Sequence, residues 1–256
     1  MKKEASRAAD SVVFEGMTSI SAVINGGENG VSDRKIIRVL VDGEKSESHK
    51  KELAWLRHRS EECDFPIVAV SADDIESMTT GSSHGGIIAE CSSRTLPRLS
   101  PEHIKPDGFY AMVEGIEDPY NFGYAIRSLY ACGADGIVLS PRNWMSAAGV
   151  VCRSSAGASE LLPVFTSEDC SPAELFKKAG YRIACAGIRD SVSSFDADLK
   201  KPLLLVVGGE KRGISSSLLS QADCIVRIDY GRDFRGSLSA ASATAVLAYE
   251  VMRQNR

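Results

Sequence analysis

The chain has 256 residues, 43% hydrophobic and 25% charged, a globular composition that excludes a disordered or fibrous protein. Its formal net charge of −4 argues against coating nucleic acid by bulk charge, while leaving room for a local basic patch. No run of about 18 apolar residues occurs, so no transmembrane helix is expected; the start, MKKEASRAADSVVFEG, has no apolar signal core, and the chain reads as cytoplasmic.

Residues 14–96 read as a small α/β unit. KIIRVLVDG (35–43) is apolar and β-branched and ends in Asp-Gly, which suits a strand and turn. HKKELAWLRHRSEECD (49–64) has helical spacing, FPIVAVS (65–71) is a short strand, SADDIESMTTG (71–81) is a Ser-capped helix, and GGIIAECSS (85–93) is a strand. LPRLSPEHIKPDG (96–108), with three prolines and a glycine, reads as a boundary, giving domains 1–104 and 105–256.

From Phe109 the alternation becomes regular. Strands are expected at 109–116, 136–140, 161–165, 181–188, 202–209 and 224–229, and helices at 121–132, 172–179 and 237–254. Apolar strands separated by helices imply a parallel sheet covered on both faces. In the 121–132 helix, Phe122, Ala125, Ile126, Leu129 and Tyr130 form the expected buried face, with Arg127 off it. In the last helix, Leu238, Ala241, Ser242, Ala245, Val246 and Tyr249 form a face of mostly small residues suited to tight packing.

The seven cysteines (63, 91, 132, 152, 170, 185, 224) are scattered and form no C-x-x-C pair, so reduced thiols and no metal site are expected. His49, His58, His84 and His103 all precede residue 104 and read as surface or structural groups. Trp55 and Trp144 read as packing residues, with base stacking left open for Trp144.

Three segments look chemical, each with a plain alternative. EGIEDPYNFGYAIRS (114–128) ends a strand in an Asp-Pro turn and places Asn121 where a helix N-cap is expected; it is either a capped turn with a solvated Arg127, or a guanidinium placed to hold phosphate. LLLVVGGEKRGIS (203–215) is a strand running into Gly208, Gly209 and then Gly213. It fits neither common phosphate-loop pattern, so it is a plain turn or a place where a ligand approaches the main chain. IVRIDYGRDFRGSLSAASA (225–243) carries Arg232 and Arg235 in a loop before Ser237, a reasonable N-cap for the last helix.

In order, D-P-x-N-x-G-x-x-x-R, R-S-S-A-G-A (153–158), G-x-E-x-x-G and a late S-L resemble the SpoU/TrmH family of RNA ribose methyltransferases, within the wider SPOUT group. The resemblance covers 109–256 closely and reaches 14–96 through HGGIIAE (84–90), similar to the end of that family's N-terminal RNA-binding domain. It implies an α/β fold: a parallel-sheet methyltransferase domain with a C-terminal trefoil knot, preceded by a small α/β RNA-binding domain. It implies S-adenosylmethionine as cofactor, held by Gly208, Gly209, Glu210, Gly213, Ile228, Ser237 and Leu238. Arg127, Asn121 and Glu210 are the implied catalytic residues, with Arg127, Arg232 and Arg235 near RNA. The acceptor implied is a ribose 2′-hydroxyl of rRNA or tRNA, and the assembly a homodimer.

The sequence departs from the family pattern in three places. Ile228-Asp229-Tyr230 stands for Ile-Pro-x, Ser237-Leu238-Ser239 for Ser-Leu-Asn, and Tyr130 for a helix glutamate. A catalytically degenerate RNA-binding protein is the alternative that these departures keep open. An unrelated nucleotide-binding enzyme is opposed by the missing phosphate fingerprint. A base rather than ribose acceptor also remains open, because fold alone does not choose the acceptor atom.

Overall fold

The computed structural model describes residues 11–45, 49–81, 84–140, 147–167 and 171–256; Trp144 and Cys170 lie outside the described residues. The chain divides into two compact units. The first takes the residues up to 95 together with a later segment ending at Leu161, and the second takes the remainder.

In the first unit β1 (Val12–Glu15), β2 (Ile36–Asp42), β3 (Ile67–Val70) and β4 (Ile87–Cys91) form a mixed sheet in the order β1-β4-β2-β3, in which only β2 and β3 are parallel. Side chains alternate across a strand. Val39 and Val41 therefore join a core with Ile20, Val23 and Ile24 of α1 (Gly16–Glu28) and Leu53 and Leu56 of α2 (Lys50–Cys63). Leu40 lies in a separate cluster with Ile75 of α3 (Ala72–Met78). Ser71 caps α3 as its sequence suggests, in a reciprocal capping box with Asp74. Of these elements, β1 and α1 carry no assignment in the sequence reading.

This unit also contains α5 (Ala148–Ser154) and α6 (Ala158–Leu161), the run that includes R-S-S-A-G-A. Glycines let it in. A Cβ on Gly149 would overlap the Val13 carbonyl oxygen, and one on Gly157, which has φ +89°, would press on the Ala22 methyl. Glu160 accepts from Arg34 Nε at 3.0 Å and from Ser32 Oγ at 3.2 Å, and the Arg34 and Glu160 side chains are each 3% exposed.

The second unit is a seven-stranded, wholly parallel sheet. Its strands are β5 (Phe109–Glu114), β6 (Gly136–Leu139), β7 (Val164–Thr166), β8 (Arg182–Ala186), β9 (Val192–Ser193), β10 (Leu203–Gly208) and β11 (Cys224–Arg227), in the order β7-β6-β5-β10-β8-β11-β9. Tyr110, Met112, Leu204 and Val206 pack with Phe176 of α7 (Pro172–Lys178) and Leu218 of α8 (Ser216–Leu219). Ala111 and Leu205, which alternate with them, are also fully buried, so both faces are covered. α4 (Pro119–Ala131) packs on α9 (Ala240–Gln254), and α9 on β10. The chain steps from β5 outward to β7, then returns to fill the other side, so the strand order reverses between β5 and β10. In parallel sheets the strand ends beside such a reversal open a crevice.

Four local expectations are corrected. Asp118, not Asn121, is the N-cap of α4: its carboxylate accepts the Asn121 N–H at 2.8 Å, and Pro119 takes the first helical position. Tyr130 is 44% exposed, and Gly123 joins the buried face in its place. The buried face of α9 is Ala240, Ala241, Thr244, Leu247, Ala248 and Val251, so Ser242, Val246 and Tyr249 point outward. Ser239, not Ser237, caps α9, accepting the Ser242 N–H at 3.2 Å. Small residues alternate around this helix, so two faces are equally plausible by period, and the larger Leu247 and Val251 decide which goes inward.

Among the described residues six cysteines are free, and burial pushes the Cys152 and Cys185 thiols up to about 12, which leaves them unreactive. No described helix is long and apolar enough to cross a membrane.

Candidate active site

Two cavities open at the carboxyl ends of the second unit's strands. The smaller, about 130 Å³, lies at the strand-order reversal and is lined by Gly115, Ile116, Glu117, Asp118, Asn121, Glu210, Lys211 and Ala240. Because Asp118 does the capping, the Asn121 side chain is free to cross to the next turn, where Nδ2 donates to Glu210 Oε1 at 3.3 Å. Lys211 Nζ reaches Glu117 Oε2 at 2.8 Å, and Glu114 Oε2 accepts the Ser215 N–H at 2.8 Å.

Glycines set the wall of this cavity. Gly213 has φ +64°, Gly115 has φ +79°, and a Cβ on Gly209 would overlap the Gly115 carbonyl. The turn after β10 therefore lies backbone to backbone on the turn after β5, as only glycine permits. A Cβ on Gly208 would likewise strike the Gly213–Ile214 peptide. Gly208, Gly209 and Gly213 shape the turn without lining either cavity, and Gly115 lines the smaller one.

The larger cleft, about 370 Å³, sits at the ends of β8 and β11 and reaches α9. It collects Ile228, Ser237 and Leu238 from the expected cofactor set, together with Arg235. It also contains residues that the sequence reading did not single out: Gly187 and Ile188 after β8, and Tyr230 and Phe234 in the loop. Ile188 is 83% exposed and Phe234 54%. The signal for the first pair was an apolar strand ending in Gly-Ile, the same kind of strand-to-glycine exit as at β10. Tyr230 folds the loop onto itself: its hydroxyl accepts the Leu238 N–H at 3.2 Å, and its ring meets Phe234 edge-on at 5.6 Å.

Asp229 lines the same cleft, paired with Arg227 Nε at 2.8 Å and with the Ser193 hydroxyl. These two partners, Ser193 first, hold its carboxyl below the usual carboxylate value. Arg127, Arg232 and Arg235 are exposed and make no hydrogen bond or ion pair with other described residues, and Arg127 and Arg232 line neither cavity. The structure thus joins Asn121 to Glu210 and Ile228 to Ser237 and Leu238, and leaves Arg127 on the outer face of α4.

The wholly parallel sheet with a C-terminal helix packed on it has the fold of solved SpoU methyltransferases. The structure of the SpoU methyltransferase AviRb from Streptomyces viridochromogenes, in complex with AdoMet, matches with a TM-score of 0.75 over 97% of this chain and 92% of that one, at 23% identity. The chain belongs to the SpoU rRNA Methylase family, whose model matches residues 108–249. It is 27% identical to human mitochondrial rRNA methyltransferase 1 over 244 residues, 87% of this chain and 69% of that one. It is 28% identical to the 23S rRNA (guanosine-2′-O-)-methyltransferase RlmB of Shewanella oneidensis, covering 74% of this chain and 79% of that one. It spans only 65% of the length of the mycobacterial relatives it matches.

Proposed function

We propose that the chain transfers a methyl group from S-adenosylmethionine to a ribose 2′-hydroxyl of rRNA or tRNA. The observation that carries this is the coincidence of the family match with the strand-end cavities: residues 108–249 contain both, and the Asn121–Glu210 contact falls inside. The relatives' printed activities supply the acceptor atom.

The residues present fit the cofactor. The larger cleft offers apolar walls at Ile188, Phe234 and Leu238 and a carboxylate at Asp229, which suit a purine ring and a sulfonium. S-adenosylmethionine, when bound, supplies an electrophilic methyl on sulfur. Ile228, Ser237 and Leu238 would hold it, and Gly208, Gly209 and Gly213 would keep the neighbouring turn clear. Asn121 and Glu210 fix the smaller cavity. Arg127 is always charged, so it serves as phosphate clamp rather than base: it orients the ribose and lowers the hydroxyl's pKa. Positioning of two bound partners is the main contribution asked of the protein.

In the same reading residues 1–104 select RNA, 105–256 catalyse, the C-terminal segment is knotted, and the enzyme works in the cytoplasm as a homodimer. Support for the dimer comes from α4 and α9. Tyr120 and Tyr124 share an exposed face with Arg127 at spacings of four and seven residues, and Val246 and Tyr249 are exposed on α9, which packs on α4. A second copy seated there would lie beside Arg127. Arg232 and Arg235 supply local positive charge to RNA in an otherwise acidic chain.

The test is calorimetric titration of S-adenosylmethionine, followed by methyl transfer to rRNA and tRNA with mapping of the modified ribose. One site per chain and a ribose-methylated product are expected. Folded protein that binds RNA but neither binds cofactor nor methylates would replace this reading with that of an RNA-binding protein.

A further inference from the structure

The first unit holds a cleft of about 380 Å³ that the methyl-transfer reading does not use. Its floor is the start of α1 and its walls include Met17, Ile87, His84 and Arg153. His84 is only 9% exposed. Its Nδ1 accepts the Gly86 N–H at 3.1 Å, which leaves the ring proton on Nε2, and that N–H has no partner among the described residues. The ring lines the cleft, so this N–H is a donor that a ligand entering the cleft can meet. The first turn of α1 adds backbone donors, because Glu15 at the N-cap gives it no side-chain hydrogen bond.

The charges decide what kind of ligand this is. Arg153 is ion-paired with Glu15, and Glu52, which faces His49 Nδ1 at 4.0 Å, adds a second carboxylate to the lining, so the one guanidinium here is already matched and offers a phosphate little. Both Glu15 oxygens are taken, by Thr80 and Arg153, so the cleft presents N–H donors together with the Glu52 carboxylate, beside the apolar surfaces of Met17 and Ile87. That mixture matches a flat ring whose edge both donates and accepts. The volume suits one such ring with its sugar. Sequence-specific RNA recognition mainly uses unstacked bases read in this way. An acidic chain gains more from such a pocket than from bulk attraction.

We infer that this cleft captures one unpaired nucleobase of the RNA, an inference that rests on the RNA methyltransferase reading and gives the first unit its means of choosing a substrate. The test is methyl and imidazole NMR on the full chain, titrated with the four nucleoside 5′-monophosphates, ribose 5-phosphate and inorganic phosphate. At least one nucleotide should saturate and shift Met17, Ile87 and His84 together, about tenfold more tightly than ribose 5-phosphate. His84→Phe should weaken it about fivefold, the loss of one hydrogen bond. Glu52→Gln, at the exposed rim, should change which base is preferred. Equal binding of inorganic phosphate would make this an anion site and overturn the proposal. So would the absence of shifts with every nucleotide at 10-millimolar order of concentration, or identical titrations in both variants. S-adenosylmethionine titrated into the same samples reads the second unit: its failure with base binding intact would sink the methyl-transfer reading alone.

Discussion

The two cavities of the second unit meet water differently. In the smaller, polar side chains satisfy one another, Asn121 with Glu210 and Lys211 with Glu117, and glycine backbones close the wall. In the larger, Ile188 and Phe234 stand largely in solvent around a paired carboxylate. The first is already set and gains little from being filled. The second recovers the hydrophobic free energy of its exposed apolar side chains only when something apolar enters. The roles proposed for them, orienting a reacting group and holding a cofactor, call for this difference, and substitutions should separate them.

Arg127→Ala should lower kcat about 100- to 1000-fold, the scale of a lost charge-stabilising donor, with cofactor affinity unchanged by calorimetry. Full activity would remove Arg127 from the mechanism, and a large loss of cofactor affinity would contradict its place on the outer face of α4, away from the larger cleft. Gly209→Ala comes next. Its Cβ meets the Gly115 carbonyl, and the overpacking should cost about 1–3 kcal/mol, visible as a lower Tm. An unchanged Tm would mean that the two turns can part. Phe234→Ala should weaken S-adenosylmethionine about tenfold, or about 1.4 kcal/mol, while leaving kcat at saturation nearly intact. The smallest effect concerns pH. Asp229 is held below its ordinary value of 3.8, so its pairing contributes fully above that value and fades as pH falls through the lowered one. Cofactor affinity should therefore not change between pH 7 and about 5 on account of Asp229. A titration centred in that window and abolished in Asp229→Asn would contradict the pairing with Ser193 and Arg227.

Much of the second unit was legible because apolar strands and glycine exits are written locally. β5, β6, β8, β10 and β11 fall where runs of Val, Leu, Ile and Ala predict them. What was not legible depends on competition between neighbours. Asp118 and Asn121 are both good caps, and the proline between them favours Asp118, since proline belongs at the first helical position. Ser237 and Ser239 compete in the same way. The cofactor motif residues point to only part of the larger cleft, because Ile188 and Phe234 arrive from loops whose courses the tertiary fold decides. The 153–158 run carries part of the family resemblance, but the packing role of its Gly157, and of Gly149 just before it, appears only against Ala22 and Val13 in the fold.

The buried pair between Arg34 and Glu160 sets a limit on modularity. Glu160 sits after β6 and before β7, more than a hundred residues from its partner, so the first unit is not one uninterrupted stretch of chain. A fragment ending at residue 95 would strand a buried guanidinium, a loss on the order of 3–5 kcal/mol. Transplanting this first unit onto another enzyme would mean rewriting the host's β6–β7 connection as well. The two units of such a chain are inherited as a set and diversify together, rather than being exchanged like beads on a string.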